Sequence, residues 1–359
     1  MAKNNKDFNV NDIGIPNGRF FGMPFPNETC DVVLIPVPWD ATVSYSEGSA
    51  KAPEAMIDAS IQVDLFDEFI PNSSELKIGT DESNLNFNGE QTLTEDYIAL
   101  LNEVARDSAK KIIARLESGK PLTKSLEKEL NAVNQASEIV NQMVEQVCNA
   151  YYKDGIIPGV VGGEHSVAFG AIKAAANNYK SSQLGILQID AHADLRKAYE
   201  GFEYSHASVM RNAIDKIGIK KLTQVGIRDF CSDEAVFIEK RREITSFTFE
   251  GMNNLRLQGI HWKTICEKIS KSLPKYVYIS FDIDGLEPSL CPNTGTPVPG
   301  GLSWGEALYL LRYIGKEHKI VGFDLNEVAP DKEGKNEWDA NVGARLLHKL
   351  SLIAVESNR

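Results

Sequence analysis

Six side chains able to hold metal ions fall in three short segments of this 359-residue chain. They are His165 in Gly162-Gly163-Glu164-His165-Ser166, then Asp190, His192 and Asp194 in Asp190-Ala191-His192-Ala193-Asp194, and Asp282 and Asp284 in Asp282-Ile283-Asp284. Each segment follows an apolar run that reads as a buried strand: Ile156–Val161, Leu184–Ile189 and Tyr276–Phe281. On a strand, residues i, i+2 and i+4 point to one side, the spacing of Asp190, His192 and Asp194 and of Asp282 and Asp284. Ligands of an open parallel sheet gather beyond the carboxyl ends of its strands, so the six groups can converge on one crevice. Carboxylates this close could not all ionise unpaired, because like charges raise each other's pKa. Divalent cations resolve the conflict, and a donor set of carboxylates with two imidazoles suits Mn²⁺ better than soft metals. Two ions ~3.5–4 Å apart can share bridging carboxylates. A lone Asp-x-Asp after a strand is usually a cap or a loop; the joint occurrence of three segments is hard to obtain from packing alone.

The elements that must position these groups alternate as strand and helix. Strands are expected at Val32–Val37, Leu76–Gly79, Ile156–Val161, Leu184–Ile189, Leu222–Ile227, Thr245–Phe249, Tyr276–Phe281 and Ile320–Leu325. Helices are expected at Pro53–Ser60, Ser166–Asn177, Ala207–Lys216, Trp262–Ser272, Trp304–Gly315 and Ala340–Leu350. Several strands are near-continuous Val, Ile and Leu, as when both faces are covered. The expected fold is a three-layer α/β/α domain with a mainly parallel, eight-stranded sheet. Residues 81–153 interrupt the alternation as a helical excursion, with periodicity over Leu93–Leu116 and Leu126–Tyr152. Residues 1–30 read as a polar extension wrapping the surface or a neighbouring subunit, and residues 31–359 as one catalytic domain.

Net charge is −12, which argues against nucleic acid or anionic membrane as the main partner. No apolar run approaches the ~18 residues of a spanning helix. The opening residues lack an apolar stretch like that of a signal peptide, and cytoplasm is the expected compartment. Cys30, Cys148, Cys231, Cys266 and Cys291 are odd in number, widely spaced and read as reduced. Of six histidines, His165, His192 and His206 fall in or near the segments above; His261, His318 and His348 read as surface residues.

Four ordered segments resemble the ureohydrolase family, which includes arginases and agmatinases. They are Gly162–Ser166, Asp190–Asp194, Ser280-Phe281-Asp282-Ile283-Asp284-Gly285-Leu286-Glu287-Pro288-Ser289 and Thr294-Gly295-Thr296-Pro297-Val298-Pro299-Gly300-Gly301-Leu302-Ser303-Trp304. The resemblance runs from about Val32 to the C-terminus, excluding the helical excursion. It implies a binuclear manganese site that hydrolyses guanidino compounds to an amine and urea. One metal would be held by His165, Asp190, Asp194 and Asp282, the other by His192, Asp190, Asp282 and Asp284, so that Asp190 and Asp282 bridge. Nickel is the alternative metal. The family commonly forms trimers or hexamers, so a homo-oligomer is expected.

A guanidinium is a poor electrophile, so its hydrolysis needs a strong nucleophile and a proton for the leaving amine. Water activated by two ions supplies the first, and Asp194 could aim it by accepting a hydrogen bond. Glu327, in Asp324-Leu325-Asn326-Glu327, resembles the family's guanidinium-binding glutamate; alone it would read as a solvated residue after a strand. His206 matches the proton-shuttling histidine, an imidazole able to act as acid or base near neutrality. Thr294 and Thr296 resemble the loop lying against the substrate. Glu164 stands where many members have Asp and reads as a residue orienting a ligand rather than coordinating.

The segment Leu195–Ser205 lacks the Asn- and Ser/Thr-rich pattern with which arginases hold an α-amino acid, and looks agmatinase-like. Agmatine, a small cation, is therefore the first expected substrate, giving putrescine and urea. Aminopropylagmatine, 4-guanidinobutyrate, arginine, formimidoylglutamate and guanidine are alternatives within the class. Glu203, Tyr204, Trp39 and Asp40 could wall an ammonium, though for each a structural role weighs more. Readings from other classes are a deacetylase on the related fold, disfavoured by the second ligand set, and a non-catalytic metal-binding protein.

Overall fold

The computed structural model describes residues 8–12, 14–82, 85–87, 91–93 and 95–359. The N-terminal strand β1 (Val32–Val37) leads through the loop of residues 38–51 into helix α1 (Ala52–Ser60) and then strand β2 (Ile78–Thr80). A small antiparallel hairpin, β3 (Leu85–Phe87) and β4 (Gln91–Leu93), precedes two long helices, α2 (Glu95–Glu117) and α3 (Lys124–Lys153). The regular alternation then resumes. It runs through β5 (Ile157–Gly162), α4 (Ala168–Asn178), β6 (Leu184–Ile189), the short α5 (Val209–Asn212) and β7 (Leu222–Val225). The second half comprises α6 (Ser232–Lys240), β8 (Ile244–Phe247), α7 (Phe249–Leu257), α8 (Trp262–Lys271), β9 (Tyr276–Asp282), α9 (Trp304–Glu317), β10 (Lys319–Asn326) and α10 (Trp338–Glu356).

Eight of the strands form one sheet in the order β2-β1-β5-β10-β9-β6-β7-β8, and every pairing in it is parallel. All eight expected strands are present, with ends moved by a few residues. Both faces are covered, as continuous apolar strands require. One apolar layer packs the sheet against α1, α8, α9 and α10, the other against α2, α3, α4 and α5. The architecture is therefore α/β/α.

Several boundaries follow from local chemistry. Thr123 caps α3 by accepting the Leu126 N–H, and Ser303 with Glu306 forms a reciprocal capping box at α9. The expected helix over Ala207–Lys216 is instead α5 followed by a π turn, Ala213–Ile217. Helices α6 and α7 and the hairpin are additions to the sequence reading. Within the polar N-terminal segment, Phe20 and Phe21 are buried on this chain, their N–H groups donating to Thr80 and Ser60 hydroxyls.

His348 corrects the reading of the outlying histidines. It is 1 % exposed inside α10, against the Phe21 ring, because α10 is apolar almost all round where it passes between sheet and α1. His318 is half-buried and bonded to Ser270 and the Pro274 carbonyl. The five cysteines are free thiols, four of them buried. Among the described residues, no helix is long and apolar enough to cross a membrane.

Candidate metal centre

The four central strands β5, β10, β9 and β6 are neighbours, and each ends in one of the chemical segments. His165 follows β5, Asp190 to Asp194 follow β6, Asp282 ends β9 with Asp284 just beyond, and Glu327 follows β10. The six groups converge, but not by strand alternation. β6 stops at Ile189 and Asp284 lies in a 3₁₀ turn, so the chain has already left strand geometry. Two tight turns replace it: Asp190 Oδ1 accepts the His192 N–H at 2.6 Å, and Asp282 Oδ1 accepts the Asp284 N–H at 2.9 Å. Asp194 is turned inward by a left-handed backbone, φ +53°.

His165 Nδ1 lies 2.9 Å from Asp194 Oδ2, 3.1 Å from Asp190 Oδ2 and 3.4 Å from Asp282 Oδ2. His192 Nδ1 lies 3.0 Å from Asp284 Oδ2 and 3.7 Å from Asp190 Oδ1. Two groups, His165 with Asp190 and Asp282 and Asp190 with His192 and Asp284, each bring their donor atoms within 4.8 Å of one another. Asp190 belongs to both.

This donor set fits a pair of divalent ions. His165 is 1 % exposed, and its Nδ1 makes no hydrogen bond. Its Nε2 meets Ser280 Oγ at 2.8 Å, and that hydroxyl donates to Asp324 Oδ1 at 2.9 Å. With the serine proton committed to Asp324, Nε2 is the donor, which leaves the Nδ1 lone pair for a cation. Burial, then the charge of Asp190, pushes the Asp194 carboxyl up to about 7. Burial, then Asp284 and Asp190, drives Asp282 well above the carboxylate range. A cation among them removes that penalty.

Four buried polar residues support the centre from within the sheet. Gln224, Gln188, Ser280 and Asp324 share one register row across β7, β6, β9 and β10, and none is exposed. Gln224 Nε2 donates to Gln188 Oε1, and Gln188 Nε2 to Asp190 Oδ2, at 2.7 and 2.8 Å. The sequence reading passed over this row. Its signal was a polar residue inside a mainly apolar strand, clearest at Gln188 in β6. Arg228 was also missed; its guanidinium donates to the carbonyls of Asp284, Leu286 and Val298, tying three loops together.

A small cavity over the centre is lined by His165, His192, Asp194, Asp282, His206, Glu327, Thr296 and residues 43–46. Glu327 sits at φ +62°, and its Oε1 accepts the His165 N–H at 2.8 Å. Burial, then the charge of Glu164, raises its pKa. His206 is half-buried; burial, then His192 and His165, pushes the ring down to about 3, so it is neutral at pH 7. Thr294 does not reach the cavity: it is 2 % exposed, and its hydroxyl donates to the Glu327 carbonyl at 2.7 Å. Glu164 bonds Thr42 and Ser166 rather than any of the six candidate ligands, so it orients the loop after β1. Trp39 is packed in the core, and Glu203 pairs with Lys216; neither lines the cavity.

The sequence matches the arginase-family model over residues 30–352. This chain belongs to the arginase family. Arginase-family relatives align with it almost end to end. The N(1)-aminopropylagmatine ureohydrolase of Synechocystis is 29 % identical, covering 91 % of this chain and 90 % of its own. The agmatinase of Bacillus subtilis is 28 % identical, covering 94 % of this chain and 96 % of its own. Among solved structures, the agmatine ureohydrolase of Thermoplasma volcanium superposes with a TM-score of 0.67 at 25 % identity, covering 92 % of each chain. The arginase-family fold accounts for the single parallel sheet and for site segments at its central strand ends. Membership makes the chain a hydrolase of C–N bonds in linear amidines.

Proposed function

We propose that this chain cleaves agmatine to putrescine and urea with two Mn²⁺ ions. The observation that carries the reading is the juxtaposition of an orphaned, buried His165 Nδ1, three carboxylate oxygens within 3.4 Å of it, and Glu327 on the same small cavity. His165, Asp190, Asp194 and Asp282 would hold one ion; His192, Asp190, Asp282 and Asp284 the other. When bound, the ions lower the pKa of water and so supply a nucleophile at neutral pH. Glu327 pairs with the guanidinium and fixes its plane, while Thr294 holds the Glu327 backbone and Thr296 lies against the substrate. Asp194 accepts a hydrogen bond from the attacking water and aims it. His206, neutral at pH 7, takes a proton there and passes it to the leaving amine. Water adds across the C–N bond, the amine departs and urea remains.

A second reading within the class rests on a separate observation. Tyr45 also borders an outer, open cavity of about 1100 Å³, lined by Asp40, Glu47, Glu54, Asp58, Glu103 and Asp331 against Lys51 and Lys332. A longer cation such as aminopropylagmatine carries its extra ammonium beyond the reach of agmatine, toward such a wall. Residues 31–359 would act as one catalytic domain, in the cytoplasm, within a homo-oligomer that is a trimer or hexamer.

The test is urea release from agmatine, aminopropylagmatine, arginine, 4-guanidinobutyrate and guanidine after separate loading with Mn²⁺ and Ni²⁺. Agmatine with Mn²⁺ is expected to give the highest kcat/KM. Preference for aminopropylagmatine selects the second reading, and urea from arginine but not agmatine overturns both.

A further inference from the structure

Helix α2 contributes nothing to the two metal-binding groups, yet two of its side chains hold a loop that walls the catalytic cavity. Residues 39–47 follow β1, and Val43, Ser44, Tyr45 and Ser46 line that cavity beside His165 and Glu327. Asn102 meets Asp40 at two points. Its Oδ1 accepts the Asp40 N–H at 2.8 Å, and its Nδ2 donates to Asp40 Oδ1 at 3.0 Å. The second Asp40 oxygen accepts the N–H groups of Gly48 and Ala50 at 3.2 and 3.3 Å.

One turn further along α2, on the same face, Arg106 is 8 % exposed. Its Nη1 donates to the carbonyls of Ala41 and Val43, and its Nη2 pairs with Glu47 at 3.3 Å. On the other side, Glu164 accepts the N–H and hydroxyl of Thr42, each at 2.8 Å. The loop is therefore gripped between α2 and a carboxylate next to His165. A planar guanidinium can reach two carbonyls and a carboxylate at once, which an ammonium cannot reproduce.

We propose that Asn102 and Arg106 are positioning residues that set the wall against which the substrate's tail lies, so that α2 governs substrate affinity without touching the metals. The proposal rests on the ureohydrolase reading above.

The test uses the full-length, Mn²⁺-loaded protein as Arg106→Lys, Asn102→Leu and the exchange Asp40→Asn with Asn102→Asp. The exchange keeps both bonds of the pair: the backbone N–H of residue 40 still donates to the side chain at 102, and the side chain–side chain bond is kept with donor and acceptor reversed. Urea release is measured on the guanidino compound the parent turns over fastest, together with bound Mn²⁺ and Tm. Each lost charge-assisted bond is expected to raise KM about ten-fold or more, with kcat within about two-fold. Bound Mn²⁺ should equal that of the parent, and the exchange should return KM toward the parental value. An unchanged KM in both single variants overturns the proposal, as does a joint fall of kcat and bound Mn²⁺, the signature of general structural damage. If the parent itself releases no urea from any guanidino compound, the ureohydrolase reading falls and takes this one with it. A working parent with insensitive variants removes only this one.

Discussion

Gln224 Nε2 donates to Gln188 Oε1 at 2.7 Å across the β6–β7 pairing, with both residues fully buried. The bond fixes the orientation of the Gln188 amide, whose Nε2 then points at Asp190 Oδ2. Asp190 is the one residue common to both metal-binding groups. Gln188→Leu should therefore weaken metal retention at both positions by about 10- to 100-fold, as loss of a ligand's outer partner usually does. Titration of the apo protein with Mn²⁺ measures it; parental affinity in the variant would count against the row's role.

Metal uptake should release protons. In the absence of ions, burial and neighbouring carboxylates raise Asp194 to about 7 and drive Asp282 well above the carboxylate range, so Asp194 is about half protonated at pH 7. Ligands bind deprotonated, and affinity must rise with pH across this range. Calorimetry in two buffers of different ionisation enthalpy gives the proton count. A count of zero at pH 7 would contradict the electrostatics described.

Glu327→Gln separates charge from shape. The glutamine oxygen can still accept the His165 N–H that Glu327 Oε1 accepts now. What disappears is the negative charge that the proposed function sets against a guanidinium. Removing one partner of a buried charged pair costs on the order of 2 kcal/mol or more, so kcat/KM should fall roughly 30-fold or further, with metal content unchanged. Steady-state kinetics beside metal analysis decides between this and a ligand-positioning role, which would lower both.

His348 should make the fold acid-sensitive in a removable way. Burial, then Lys349, pushes its ring down to about 3, and neither ring nitrogen has a hydrogen-bond partner in the structure. Unfolded, the ring titrates near ~6.5, so below that pH the unfolded chain binds the extra proton. Stability contributed by the neutral ring is full above ~6.5 and falls by about 1.4 kcal/mol per pH unit as pH drops toward the folded value. His348→Leu should flatten the acid limb of Tm against pH between 6.5 and 4.5. Parallel curves for parent and variant would show that other groups dominate.

Much of this architecture is legible in local sequence because its signals are local. Several of the eight strands are near-continuous apolar runs, and the metal-binding segments are contiguous. Helices α6 and α7 were missed because they are short and mostly exposed, with little apolar periodicity; only Glu234 and Met252 in them are buried. His348 was misread because a histidine looks polar, although Leu346, Leu347 and Leu350 flank it and the helix's partly exposed stripe runs instead through Asn341, Arg345 and Lys349. Thr294 reads with its segment as a substrate contact, but its hydroxyl donates to the Glu327 carbonyl. Contacts such as Asn102 with Asp40 join residues 62 positions apart, and no spacing rule reaches that far.

The order of the strands has a bearing on descent. The four turns that carry the reactive groups stand on adjoining strands in mid-sheet, whereas the loop of residues 39–47 hangs from β1 on one flank. On the proposed reading, the reaction and the recognition of the substrate's tail fall to different pieces of chain. Drift in the flanking loop and its helical anchors can redirect such a protein to another cation while the hydrolytic machinery is inherited intact, which gives a lineage of this fold a short route from one guanidino compound to the next.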